Sequence, residues 1–127
     1  METRRTKQQQ SIREVLAEAG RPMSVQEVFD AALTSVPTIG LSTVYRTIRR
    51  LAEQGEIAAV AVPGQPDRYE LADVAATHHH HFHCTECDRV FDVRGCVGGL
   101  DRMLPPGFKL RGHELTLSGV CGGCAAR

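Results

Sequence analysis

The chain has no apolar run approaching the ~18 residues that a membrane span needs. Its first ten residues, METRRTKQQQ, lack the apolar core and cleavage site of a signal peptide, so none is expected. It carries no net charge, because fifteen Lys plus Arg balance fifteen Asp plus Glu. No His is followed two residues later by Glu, which removes the H-x-E half of a zinc-deaminase signature. What remains is ordinary for a soluble globular protein and argues against wholesale disorder: 42% hydrophobic and 24% charged residues. A length of 127 residues allows one medium domain or two small ones. A chain this short buries only about two-thirds of its unfolded surface, so each half is expected to need a partner or a metal.

The zero net charge hides a polarity. Residues 1–54 hold eight Lys or Arg against six Asp or Glu, and residues 55–127 hold seven against nine. All six His and all five Cys fall in the second part. The chain reads as a weakly basic half followed by one loaded with metal ligands. With a cytoplasmic location as the default, cysteines at tight spacing signal metal or redox chemistry rather than disulfides.

In the first half, Ile12, Val15, Leu16 and Ala19 form one helical stripe that stops at Gly20. Ser24-Val25-Gln26-Glu27 is a capping box opening a helix that buries Val28, Phe29, Ala32 and Leu33 and ends before Pro37. A third helix is expected from Ser42 to Gly55, with Val44, Ile48 and Leu51 inside. Thr43, Arg46, Thr47, Arg49 and Arg50 are expected on its outer face, with Tyr45 on the flank. Ile57–Val62 and Arg68–Leu71 are strand candidates around a turn at Pro63-Gly64-Gln65-Pro66-Asp67. Three helices and a hairpin make a winged helix-turn-helix, whose third helix enters the DNA major groove. Its arginines then hold phosphates or guanine edges, and Tyr45 and Thr43 meet thymine methyls. A merely solvated face, or a protein-interaction module, is the alternative at this point.

In the second half, Cys84-Thr85-Glu86-Cys87 and Cys121-Gly122-Gly123-Cys124 form paired C-x-x-C motifs. Four thiolates suit a closed tetrahedral zinc site, and two such pairs are better explained by zinc than by redox exchange. Cys96 is left over and is expected to be a small buried apolar residue. Ahead of the first pair lies His78-His79-His80-His81-Phe82-His83. In an extended segment His78 and His80 face one way, and His79, His81 and His83 the other. Each face then offers imidazoles at H-x-H spacing, a natural start for a metal site, unless the segment is a solvated linker. Val90–Val93 is a strand candidate, Leu100–Leu104 a short helix, and Phe108–Val120, with its alternation, a further strand region. The expected architecture is α+β: an N-terminal winged helix-turn-helix domain over 1–75, then a small zinc-stapled α/β domain over 76–127. The second core is small enough that dimerisation is expected.

Three blocks together resemble the ferric-uptake-regulator (Fur) superfamily of bacterial metal-responsive repressors. They are Gly40-Leu41-Ser42-Thr43-Val44-Tyr45-Arg46-Thr47 through Leu51, then His78 to Cys87, then His113 to Cys124. The resemblance implies a winged helix followed by an α/β dimerisation domain, with metal in the hinge setting domain orientation and operator affinity. It implies Cys84, Cys87, Cys121 and Cys124 as structural zinc ligands. It implies His79 and His81 as the regulatory pair, with Glu70 and Asp92 as carboxylate ligands. His78, His80 and His113 match a second site, with Asp101 as its carboxylate. Tyr45 and Arg46 match base-reading positions, beside Thr43, Arg49 and Arg50. The implied partners are a double-stranded DNA operator with an inverted repeat and a second copy of the chain, with no membrane.

Imidazole and carboxylate donors suit zinc, iron, manganese or nickel. Abundant His without a full iron set favours Zn2+ over Fe2+ or Mn2+ as the regulatory metal, beside the structural Zn2+. The expected function is a metal-dependent, DNA-binding transcriptional repressor of metal homeostasis genes, not an enzyme. The alternatives are an iron-, manganese- or peroxide-responsive regulator on the same scaffold, or a metal-storage or chaperone protein. The last would leave the Thr43–Arg50 surface unused.

Overall fold

The computed structural model of the chain describes residues 3–75 and 79–127. It divides into two compact units, Met1–His78 and His79–Arg127.

In the first unit, α1 (Arg4–Ala19) starts where the Thr3 hydroxyl accepts the Thr6 amide and stops at Gly20. Gly20 has φ 62°, the left-handed turn that a side chain at this position would strain. α2 (Val25–Ser35) carries the capping box in full: the Ser24 hydroxyl accepts the Glu27 amide and Glu27 accepts the Ser24 amide. α3 (Leu41–Glu53) begins one residue earlier than its sequence pattern suggests, with Gly40 at its N-cap. Ile12 and Leu16 of α1, Val28 and Ala32 of α2, and Val44, Ile48 and Leu51 of α3 meet in one core.

Thr47 departs from the sequence reading. It is 2% exposed and belongs to the inner face of α3, not the outer one. Its position explains this, because 44, 47, 48 and 51 are one continuous helical stripe.

The wing is the antiparallel pair β1 (Ile57–Val62) and β2 (Gln65–Leu71). Only Pro63 and Gly64 turn, with Gly64 at φ 75°, so Gln65, Pro66 and Asp67 are strand rather than loop. The pairing Val62↔Gln65 extends the ladder past an irregularity between Val60 and Val62, at a hairpin tip where an edge proline is tolerated. Met23 and Tyr69 exchange both backbone hydrogen bonds, at 2.9 and 2.8 Å, which fastens the wing to the α1–α2 connection. Arg68 is buried and bonds Glu27 of α2 at 3.2 Å, a second fastening. A single turn, α4 (Ala72–Ala75), follows.

The second unit is built on a three-stranded sheet. Its central strand, β3 (His80–Cys84), pairs antiparallel with β4 (Val90–Val93) and parallel with β5 (Thr116–Gly119). The alternating stretch 108–120 forms strand only at β5. Alternation prepares a face but needs a neighbouring strand, and β3 is five residues long. Phe108 and Leu110 stay exposed instead. A 3-10 turn at Leu100–Met103 and a last helical turn, α5 (Gly122–Ala125), complete the unit. Gly119 packs closely against Phe82, where an added Cβ would lie 3.3 Å from the ring. Cys84, Val90 and His80 are the buried side chains of this unit, a very small core. Val97, Met103, Phe108, Leu117 and Val120 are exposed apolar groups on it. Among the described residues no helix is long and apolar enough to cross a membrane.

Candidate metal centres and nucleic-acid face

The four cysteines of the paired motifs converge in the second unit. Cys84 closes β3 and Cys87 follows in a tight knuckle in which Asp88 adopts φ 64° and its amide bonds the Cys84 carbonyl at 2.9 Å. Cys121 caps α5 and Cys124 lies within it. Thr85 bonds the Gly119 carbonyl through both amide and hydroxyl, at 2.7 and 3.1 Å, which locks the two knuckles together. Sγ of Cys84 accepts the amides of Cys87 and Cys121 at 3.4 and 3.3 Å. Those amides, Cys87 first, outweigh the opposing effect of burial and hold the Cys84 thiol at about 6. Cys124 goes the other way. The Arg127 guanidinium, 3.0 Å from its sulfur, pulls it down, but burial and three neighbouring thiols prevail and push it up to about 11.

On β3 the alternation of the His run is realised. His79 and His81 meet edge to face with ring centroids 4.8 Å apart. Each points Nε2 at the same Oδ1 of Asp92, at 3.3 Å. Asp92 is the direct register partner of His81 on β4, which is what brings the carboxylate there. In a tetrahedral site with bonds of about 2.0–2.1 Å to nitrogen and oxygen, neighbouring donors lie roughly 3.3 Å apart. Glu70 belongs to the first unit, buried near the end of β2 opposite Ala58. His83 does not join His79 and His81: its Nε2 lies 2.6 Å from Asp88.

A third group faces the other way. His80, 4% exposed, meets His113 with Nε2 atoms 3.3 Å apart. Asp101 is not among the donors brought within reach here; it lies in the 3-10 turn and lines the neighbouring cleft. The remaining donor is Cys96, which corrects its expected burial: it is exposed, and its sulfur is 3.1 Å from His113 Nε2. Sequence reasoning missed Cys96 because no second cysteine stands near it in the chain. The one available signal was His113, a histidine equally isolated in sequence. His78 lies outside the described residues.

On α3 the residues expected at DNA share the face away from the core. Tyr45 is 56% exposed, Arg46 and Arg49 are exposed, and Thr43 and Arg50 are half-buried. Arg46 donates to the Thr43 hydroxyl at 3.2 Å, so the guanidinium is held along the first turns of the helix rather than loose in solvent. Groups of this kind, three guanidinium heads beside one phenol, can hold phosphates and read base edges.

A family model described as the ferric uptake regulator family matches residues 1–118. The ferric uptake regulation protein of Bacillus subtilis (strain 168) is 30% identical over 118 residues, spanning 90% of this chain and 79% of that protein. Among solved structures, a zinc-bound manganese uptake regulator is 28% identical with a TM-score of 0.78, covering 94% of this chain and 91% of that one. A zinc uptake regulator from M. tuberculosis is 26% identical with a TM-score of 0.51, covering 95% of both chains.

Proposed function

We propose, from the premise that this chain belongs to the ferric uptake regulator family, that it is a metal-dependent repressor of metal homeostasis genes. Members of that family are metal-responsive transcriptional regulators that bind DNA as dimers, not enzymes. The finer reading is that His79, His81 and Asp92 hold the regulatory metal, with Glu70 as a further acidic ligand, and that this metal is zinc. The observation that carries it is the pair of imidazole nitrogens set 3.3 Å from one carboxylate oxygen. Cys84, Cys87, Cys121 and Cys124 hold a structural zinc, because four thiolates leave it no open position. His80 and His113, with His78, form the second metal site.

In this reading Thr43, Tyr45, Arg46, Arg49 and Arg50 meet an inverted-repeat operator in the cytoplasm. Two copies of α3, one from each protomer, reach successive half-sites about one helical turn apart. A metal that binds the DNA-competent state more tightly raises DNA affinity by the same factor with which DNA raises metal affinity. Metal-by-metal titration of operator binding tests the assignment: Zn2+ acts at the lowest free concentration, ahead of Fe2+ and Mn2+. If Fe2+ or Mn2+ acts first, the same scaffold is an iron- or manganese-responsive regulator, and zinc is not the metal of the His79–His81 pair.

A further inference from the structure

We infer that His80, Cys96 and His113 form a thiolate-bearing metal site for a borderline-soft divalent ion of the zinc type. It deepens the reading of a metal-responsive regulator and rests on that reading only for its effect on DNA binding. The site itself stands wholly on the second unit.

Three segments supply the donors: His80 opens β3, Cys96 lies in the loop after β4, and His113 lies ahead of β5. One atom, His113 Nε2, faces both His80 Nε2 at 3.3 Å and Cys96 Sγ at 3.1 Å. A single ring nitrogen carries at most one proton, so it cannot donate to both neighbours at once. An ion among the three uses all the lone pairs together. The spacing suits it: with bonds of about 2.0–2.1 Å to nitrogen and about 2.3 Å to sulfur, tetrahedral edges are roughly 3.3 and 3.5 Å. The His80 and His113 rings, centroids 5.0 Å apart and tilted 34°, are not stacked face to face, which leaves their edges to converge.

The donor set decides the ion. Sulfur selects Zn2+ and comparably soft ions over Mn2+ or Mg2+, which prefer carboxylate and water. Cys96 is the soft member, and Asp101, the carboxylate expected here, stands aside in the cleft wall. The three donors among the described residues leave a fourth position, for His78 or for water from the open cleft of about 620 Å³ that Cys96 and His113 both line. The bound ion is therefore exchangeable, in contrast to one enclosed by four thiolates. Its occupancy pins the loop after β4 and the segment before β5 to the central strand. Val97 and Leu110, exposed apolar groups, ride on those same two segments.

The test uses the full chain purified with its structural zinc and titrated with Co2+ as the probe. Cobalt uptake produces a near-ultraviolet thiolate-to-cobalt charge-transfer band while protein-bound zinc stays constant. The band is lost in Cys96→Ser, whose Co2+ affinity at this site falls by at least about 10–100-fold. In parallel, alkylation of Cys96 by iodoacetamide, mapped by mass spectrometry, slows on adding Zn2+ but not Mn2+. Both results persist in a His79→Ala, His81→Ala variant. Operator binding measured on that variant separates the two assignments, since it reads the regulatory pair and not Cys96. A charge-transfer band that survives Cys96→Ser, or alkylation indifferent to Zn2+, overturns the site. Because Cys96 is exposed, its serine variant folds normally and the outcome is readable.

Discussion

Sγ of Cys87 and Sγ of Cys121 lie 3.8 Å apart. That separation is far too long for a disulfide, whose sulfurs sit about 2.0 Å apart. It equals the edge of a tetrahedron with metal–sulfur bonds of about 2.3 Å, roughly 3.8 Å. The knuckle after β3 and the turn of α5 are thus spaced for an ion, and the amide, hydroxyl and carbonyl bonds around them hold that spacing.

Cys121→Ser is expected to lose the structural zinc and to unfold the second unit, whose buried apolar core is very small. Zinc content by elemental analysis and thermal melting check this; full zinc with an unchanged melting temperature rejects the assignment. Zinc uptake by the apo chain should also release protons, since a Cys124 thiol pushed up to about 11 is protonated at neutral pH. Calorimetry in buffers of different ionisation enthalpy measures that release.

His79→Ala with His81→Ala is expected to keep structural zinc and dimerisation while abolishing metal-dependent operator binding. An imidazole ligates only when deprotonated, so acidification should weaken the wild-type response. Gel-shift titrations at controlled free metal show either outcome, and a double variant that answers metal at wild-type concentrations moves the sensor elsewhere.

Arg46→Ala is expected to relax sequence preference at one base position, at a cost of about 1–3 kcal/mol. Arg49→Ala and Arg50→Ala should instead weaken binding to all sequences and each reduce the salt slope by about one. Fluorescence anisotropy across a salt series distinguishes the two classes. Equal operator affinity for wild type and the Arg46→Ala, Arg49→Ala pair removes α3 from the interface.

Glu27 ties the wing to the helices, bonding Arg21 at 2.6 Å and buried Arg68 at 3.2 Å. Burial alone would raise its carboxyl, but Arg21, the Ser24 amide and Arg68 together hold it below 4.5. A depressed folded value means stability present above the unfolded value and lost as pH falls through the folded one. Glu27→Gln keeps a capping partner for Ser24 but removes the carboxylate that Arg21 and Arg68 share, which should cost about 1–3 kcal/mol at pH 7. The gap between wild type and variant should close as pH drops below 4.5. A gap that stays constant down to about pH 3, well below the usual carboxylate range, shows that the ionised carboxylate is not what stabilises.

Much of the first unit was legible because its signals are local. The Ser24–Glu27 box, the stop at Gly20 and the stripe Val44, Ile48, Leu51 each depend on residues within one or two turns. Thr47 was expected on the outer face, whereas helix geometry puts it on the buried stripe between Val44 and Leu51. At the wing tip, Pro66 suggested a loop, yet β2 begins at Gln65, because proline is excluded from a ladder only where its missing N–H is needed.

In the second unit the chain by itself determined the donors and their alternation: two C-x-x-C pairs, and a His run whose odd and even members part to opposite faces once extended. The period of a strand is two whatever it packs against, so this needed no tertiary knowledge. No pattern in the chain says which distant residue completes each face; the resemblance implied Asp92 and His113, and the tertiary structure supplies the physical route and adds Cys96. Asp92 reaches His79 and His81 through the β3–β4 register. His113 and Cys96 reach His80 from irregular segments that obey no period, and Asp101 is left aside. Spacing along a chain constrains donors one or two residues apart, whereas donors separated by a whole loop are brought together by strand order and chain reversal, which no local pattern encodes.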